Sequence, residues 1–488
     1  MAIEKQPRGL YLLFFTELWE RFGFYTLQTI IILYMTKALM MTDDKAYLLY
    51  GTFSSMLYLT PVLGGYLADR YLGYQRAIIL GGVLLTLGYL LTALPEPHFF
   101  FLGLSVIIVA NGFFKPNVSC IVGDLYRAND PRRDGGFTLF YMGINLGSLI
   151  PPLITGAIVL HIGWHAGFLL AAVGMLIGLI IFLLGRKRLR GSGGLPLLSP
   201  LHDRGDAVTF YSLLGVGIVA AIGLMLFLFR FPAETDFVLG FAAVITLAVV
   251  LYFLLKEKRS QRNKMIACLI LILISIGFWA LYNQTYTSLM LYADRNMTKQ
   301  FLGFTIDAEF TQFFNPFFII LLSPVLSRLW ISLDRRSANP STPFKFSYGI
   351  LFMALGFFVL GLGGRYFGHA GETSPWWLVL SYFLQTIGEL LLSPIGLAMI
   401  TTLAPKHLVG MMMGVWFLTQ SAAFAIGGGL ATLASVPAET TPVAALGIYS
   451  HAFILYGGIS LCLAIVSFLL APYLKRLIHA PEKMKPIK

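Results

Sequence analysis

Glu17-Leu18-Trp19-Glu20-Arg21-Phe22-Gly23-Phe24-Tyr25-Thr26-Leu27-Gln28 lies inside an otherwise apolar stretch running from about Tyr11 to Met41. At 100° per residue, Glu17, Glu20, Arg21, Phe24, Tyr25 and Gln28 fall within about 140° of one helix face. The stretch is long enough to cross a bilayer, which takes roughly 20 residues. Three formal charges on one stripe of a spanning helix do not face lipid, where each costs roughly 2.5–3.5 kcal/mol at the bilayer centre. They face protein or a wet cavity. One reading is a buried ion pair that fixes helix packing. The sharper one is a protonatable carboxylate pair that carries its own arginine.

Outward from this helix the apolar pattern recurs. Fourteen segments can span a membrane, at about 10–40, 47–68, 76–95, 98–121, 136–160, 165–185, 208–231, 236–256, 265–293, 305–330, 345–367, 374–403, 408–435 and 445–474. The 488 residues are 57% hydrophobic and 12% charged, against about 25% charged in soluble domains, so the chain is an all-α polytopic membrane protein. An even number of spans puts both termini on one side. Of the 35 Lys and Arg residues, 27 fall on that side and six on the other (Lys37, Lys45, Arg230, Arg295, Lys299, Arg365), with Arg21 and Lys115 inside spans. The asymmetry predicts cytoplasmic N- and C-termini. It also directs the net charge of +12 at anionic lipid of the cytoplasmic leaflet, with no nucleic acid needed. No cleavable signal peptide is expected. Cys120, Cys268 and Cys462 lack disulfide or metal spacing and read as small core residues.

Two linkers divide the spans. Gly185 to Asp206 is basic and rich in Gly and Ser, a composition that predicts mobility; Lys256 to Lys264 is a charge run. The expected organisation is a six-helix bundle over 1–190, linkers with a peripheral two-helix hairpin over 191–264, and a second six-helix bundle with a cytoplasmic tail over 265–488. Two such halves are the pseudo-repeats of a major-facilitator-type fold, with a midplane site at their interface.

Polar residues inside the spans mark that site. Asn111-Gly112-Phe113-Phe114-Lys115-Pro116-Asn117 sets a lysine too deep to reach the interface easily, beside a proline that frees backbone groups. Asn145 lies in 136–160; Trp279, Tyr282, Asn283 and Gln284 in 265–293; Asn315 in 305–330; Glu389 and Ser393 in 374–403; Trp416 and Gln420 in 408–435. The first half thus offers a buried cation, Lys115, and the second a buried anion, Glu389. A ligand with a carboxylate at one end and an ammonium at the other complements both, and can favour a closed state through contacts made only there. A carboxylate kept from bulk water holds its proton more readily, which suits a proton carrier. Isolated Asn residues and Glu389 also have a plainer use, bonding neighbouring helices.

Gly64-Gly65-Tyr66-Leu67-Ala68-Asp69-Arg70-Tyr71-Leu72-Gly73-Tyr74-Gln75-Arg76 resembles the signature loop of the major facilitator superfamily. Glu17-x-x-Glu20-Arg21-Phe22-x-Phe24-Tyr25 is similar to the ExxERFxYY motif of the proton-dependent oligopeptide transporter (POT) family, with Phe24 where the first Tyr is usual. Gly64–Gly73 and Phe137–Leu149 resemble that family's two signature stretches, and the likeness runs from about Tyr11 to Pro472. The resemblance implies a symporter that imports di- and tripeptides with protons, by alternating access, in a bacterial inner membrane, as a monomer and without a cofactor. It assigns proton coupling to Glu17, Glu20, Arg21 and Lys115. Lys115 matches the lysine that meets the peptide carboxylate, and Glu389 the glutamate that binds its amino group. Asn145 and Asn315 match assisting asparagines, Tyr25, Tyr58 and Trp416 match pocket aromatics, and Ser393 follows Glu389 at the family spacing. Many members carry an Arg at the position of Gln28, paired with a Glu where Asn283 stands. Both charges are absent here, as in the di- and tripeptide permease branch, and a weaker Gln28–Asn283 hydrogen bond is the expected substitute.

Two other readings use the same residues. A carrier of nitrate or another small anion would use Lys115, but Glu389 would then be a liability. A membrane-embedded enzyme finds little support: His98, His161, His165, His369 and His451 lie near span ends without metal-helix spacing, and no nucleophile motif occurs.

Overall fold

The computed structural model describes residues 6–126, 130, 132–189, 191–196, 199–405 and 408–478. Lys5, Arg127, Arg190, Lys406, Lys483, Lys485 and Lys488, counted above among the cytoplasmic-side cations, lie outside the described residues, as does the expected tail beyond Ile478. Sixteen α-helices are described, with one two-stranded hairpin. Twelve helical stretches are long and apolar enough to cross a bilayer. Helices α1 (Arg8–Leu33) and α2 (Asp43–Leu67) have the length but carry charge or hydroxyl groups within it. The fold is that of an all-α polytopic membrane protein of the major-facilitator type, in two compact units.

The first unit comprises Met1–Met41, Thr52–Ala233 and Asp307–Pro316. It holds α1, the later part of α2, α3 (Tyr74–Thr92), α4 (Pro97–Asp124), α5 (Arg133–Leu149), α6 (Pro151–His161), α7 (Trp164–Gly185) and α8 (Arg204–Arg230). Helix α1 is its hub and packs on α5, α6 and α7. Segment 136–160 divides into α5 and α6 because Pro151 and Pro152 have no backbone N–H to continue the ladder. Helix α8 leans on α4, with the Phe101 and Phe229 rings 5.8 Å apart.

The crossing of α2 and α4 shows how a proline becomes a joint. Pro61 cannot bond the Leu57 carbonyl four residues back. Asn111 of α4 donates to that carbonyl at 2.9 Å, while Thr60 donates to Ile108 O at 2.8 Å. The helices come close because Gly64 lies against the Gly112 carbonyl, where any side chain would collide. Asn111 therefore has the plainer of its two uses. The turn after α2, Ala68–Leu72, is a π-helical one ending at Gly73 (φ 74°), which lies against Gly194.

That contact corrects the expectation of a mobile linker. Gln75 N donates to Gly193 O at 3.0 Å, Gln75 Nε2 to Ser192 O at 2.7 Å, and Ser199 Oγ to Tyr71 O at 2.5 Å. Composition favoured flexibility, but the linker's carbonyls have donors waiting on the loop they cross.

The second unit comprises Thr42–Gly51, Glu234–Ile306 and Phe317–Lys488. It contains α9 (Ala233–Lys256), α10 (Arg259–Tyr282), α11 (Ser288–Asn296), the hairpin β1 (Gln300–Phe301) and β2 (Phe304–Thr305), α12 (Phe314–Arg335), α13 (Thr342–Phe367), α14 (Pro375–Leu403), α15 (Val409–Ala431) and α16 (Pro442–Ile478). Helix α13 packs on α14 and α16, and α10 on α15. The single expected segment 265–293 is broken at Thr287 (φ −121°, ψ −96°) after a 3-10 turn, Asn283–Tyr286. Gln284 clamps the break: its Oε1 accepts from Ser288 Oγ at 2.8 Å and its Nε2 donates to Gly427 O at 2.9 Å.

The start of α2 is bound within this second unit. Asp43, 4% exposed, accepts two hydrogen bonds from Arg295 at 2.6 and 2.7 Å and one from Val436 N at 3.0 Å. Arg295 also donates to Tyr449 Oη at 3.0 Å. Of the cysteines read as core residues, only Cys268 is buried. Cys120 and Cys462 are exposed, Cys120 near Asp69 and Asp124.

Two stability outcomes follow. Asn111→Ala orphans the Leu57 carbonyl and is expected to cost about 1 kcal/mol, within the measured span for interhelical bonds in membranes. Asn145→Ala, whose amide bonds only its own helix, should cost less in the same micellar denaturation. Asp43→Asn leaves Arg295 without its countercharge and should cost about 3 kcal/mol, with the Asp43→Asn/Arg295→Gln pair losing less than the two single changes combined.

Candidate functional site

In the first unit the charged stripe of α1 faces inward. Glu17, Glu20 and Arg21 are 4%, 0% and 4% exposed. Arg21 donates through Nη2 to Glu20 Oε1 at 2.6 Å, and Nε bonds Glu20 Oε2. This parallel two-bond geometry is the strongest that arginine makes with a carboxylate. The same Nε lies 3.3 Å from Glu17 Oε1, while Glu17 Oε2 is buried with no hydrogen-bond partner among the described residues. The guanidinium also stands 4.9 Å from the Phe24 ring. Helix α5 fixes it from behind: Gly147 meets the Leu18 carbonyl and lies where a side chain would come within 2.9 Å of Arg21 Cβ.

Lys115 of α4 is half-buried. Its Nζ sits 4.4 Å from the Tyr58 ring centroid, within electrostatic reach of Glu17, Glu20 and Arg21. Two carboxylates and two cations are therefore grouped around one stretch of α1. Asn117, next after Pro116, donates to Phe113 O at 2.7 Å within its own helix. Asn145 is buried, and its amide donates to Tyr141 O at 2.9 Å on its own helix. Tyr25, Tyr58 and Asn315 are half-buried, and Gln28 is buried.

In the second unit Trp279, Tyr282 and Asn283 are buried on α10 and the turn after it. The rings of Phe278, Trp279 and Tyr282 form one cluster, and Trp279 Nε1 has no hydrogen-bond partner among the described residues. Asn283 donates to Phe424 O at 3.4 Å, and its Oδ1 is likewise without a partner. Glu389 and Ser393 are half-buried, one turn apart on α14. Trp416 is 4% exposed and packs into the space left by Gly396 of the same helix as Glu389.

Sequence reasoning passed over three groups. Tyr89 of α3 is fully buried with an unpartnered hydroxyl, within electrostatic reach of Glu20 and Arg21; a tyrosine among leucines gave no signal. Asp43 read as an ordinary acid in a first helical turn, and Arg295 as one of six outside cations. Glu309, 7% exposed in the 3-10 turn Ala308–Phe313, packs beside α6; its burial was hidden because that turn read as part of a spanning helix. Among the described residues no group of His, Cys, Asp and Glu could hold a metal.

The POT family profile matches residues 75–449. The dipeptide and tripeptide permease B of Shigella dysenteriae serotype 1 is 36% identical over 99% of this chain and 98% of its own length. The dipeptide and tripeptide permease A of Cronobacter turicensis is 39% identical over 97% and 94%. Among solved structures, a peptide transporter POT in complex with sulfate superposes with a TM-score of 0.83 at 34% identity, covering 98% of this chain and 97% of that one. A POT family transporter in complex with 5-aminolevulinic acid gives 0.82 at 31% identity, over 97% and 98%. With the helical architecture and the charged α1 stripe already in place, these likenesses establish that the chain belongs to the POT family.

Proposed function

We propose that the protein is a proton-coupled symporter that imports di- and tripeptides by alternating access, with the peptide carboxylate directed to Lys115 and the amino group to Glu389. The family is one of transporters rather than enzymes. The observation that carries the proposal is the enclosed set Glu17, Glu20, Arg21 and Lys115, two anions and two cations in an apolar bundle. Charge imbalance is costly there. Protonation of one glutamate leaves a cation without its countercharge, and a peptide carboxylate restores the balance. Proton and substrate thereby favour each other's binding, which is the reciprocity that coupling requires.

Glu389 supplies the opposite pole, with Ser393 one turn on and Trp416 packed at Gly396 further along the same helix. Tyr25, Gln28, Tyr58, Asn145, Asn315, Trp279, Tyr282 and Asn283 complete the proposed substrate contacts. The two six-helix halves, 1–190 and 265–488, are taken as the rocking bodies. The protein is placed in the bacterial inner membrane with cytoplasmic termini, acting as a monomer, with protons in place of any cofactor.

Dialanine uptake into proteoliposomes is expected to depend on an inward proton gradient, with nitrate failing to compete. Uptake indifferent to the gradient would reject the coupling. Lys115→Ala should lower gradient-driven uptake by about tenfold or more, the scale of one charge-assisted hydrogen bond. Glu389→Gln should reduce the preference for dialanine over N-acetyl-dialanine by a similar factor; an unchanged preference would show that the amino group is bound elsewhere.

A further inference from the structure

We infer that the second unit carries a binding site for an anionic glycerophospholipid, at the end of the bundle where α12, α14 and α16 finish and α13 begins. A cavity of about 690 Å³ opens there. Its polar wall contains Lys345 of α13, Lys475 of α16, Ser341 and Asn339 from the α12–α13 connection, and Asp334 of α12. Its other wall is the apolar face of α14 from Leu390 to Leu403.

Three features ask for an anion. Ser341 is the N-cap of the 26-residue helix α13 yet makes no capping bond; its hydroxyl is withdrawn from solvent with no partner among the described residues. Lys345 stands in the first turn of the same helix, where a cation is disfavoured by the positive end of the dipole unless negative charge lies nearby. Its Nζ is held 4.2 Å from the centroid of the Trp330 ring, aligned along the cavity wall instead of reaching into bulk solvent. Lys475 brings a second ammonium to the same space from another helix. Among the described residues of the lining Asp334 is the sole carboxylate; Asn339 Nδ2 lies 3.5 Å from it, and Lys345 is within its electrostatic reach. The balance of the wall is positive.

The apolar wall selects among anions. A small inorganic anion gains nothing from Leu390 to Leu403, whereas a phosphodiester with acyl chains satisfies both sides. Ile395, Ala398 and Met399 of α14 give the chains an apolar surface within the cavity. The site rests on the orientation proposed above, which sets this end of the bundle at the cytoplasmic leaflet, where anionic headgroups concentrate. Leu390 and Pro394 of the wall follow Glu389 and Ser393 directly, so an occupant touches the turn of α14 that carries them.

The test is native mass spectrometry of the purified full chain with equimolar phosphatidylglycerol and phosphatidylethanolamine. The first bound lipid is expected to be phosphatidylglycerol by about fivefold, a value near that of one basic side chain at a membrane surface. Lys345→Gln/Lys475→Gln should bring the ratio to about one, and Lys345→Arg/Lys475→Arg should keep it. Arg328→Gln/Arg335→Gln, on another face of α12, should leave it unchanged. Should the glutamine pair fail to fold, Lys345→Gln and Lys475→Gln as single variants should each lower the ratio. Equal retention of the two lipids, or a preference that survives both variants, overturns the inference. Displacement of the lipid by millimolar inorganic phosphate also overturns it, in favour of a small-anion site. None of these readings depends on peptide transport, so the two proposals fail separately.

Discussion

Arg21 is bonded through two nitrogens to Glu20 and lies against Glu17, and the first unit is assembled around that arrangement. A lone guanidinium inside an apolar bundle would be several kcal/mol too costly to bury. Two carboxylates one helical turn apart on the same helix supply the countercharge before any tertiary contact forms. The local spacing makes α1 internally compensated, and the helices around it need supply only shape. Helices α5, α6 and α7 do so, with Gly147 admitting α1 at the residue that needs the closest approach. Lys115 then enters from α4 as the second cation, and the group reaches neutrality.

Elsewhere the membrane-spanning backbone meets the same demand in another form. Every carbonyl freed by a proline or a helix break needs a donor, because lipid offers none. Asn111 serves the carbonyl freed by Pro61, and Gln284 holds the chain through the turn before Thr287. These side chains are what polar residues in apolar segments most often are, structural partners of backbone groups. Lys115 and Glu389 differ from them in being charged and half-buried.

The spanning helices and the α1 stripe were legible in the sequence because they rest on local periodicity. Glu17, Glu20 and Arg21 fall on one face by arithmetic alone, and Lys115 stands out as a lysine deep in an apolar run. Features made by distant pairing were not legible. Asp43 meets Arg295 across 252 residues and Val436 across 393, so neither charge announces its partner. The linker composition that predicts mobility is silent about Gln75, whose side chain and backbone both meet it. Asn283 bonds Phe424 O from the 3-10 turn after α10, and no periodicity anticipates that turn.

The two cations of the α1 group are held in unequal ways, and the inequality gives the group a direction of response. Arg21 has two parallel charge-assisted bonds to a fully enclosed carboxylate, packed from behind by α5. Exchanging those bonds would require Glu20 to find donors as strong, and the unpartnered hydroxyl of Tyr89 nearby offers a single neutral bond. Lys115 rests on the face of Tyr58, a contact worth about 0.5–2 kcal/mol, and is half-buried. When the charge on a neighbouring glutamate changes, the ammonium has both the weaker hold and the room to move. In the proposed coupling the proton is registered by Lys115 changing partner while Arg21 keeps α1 in place, and the same ammonium is the one offered to an incoming carboxylate.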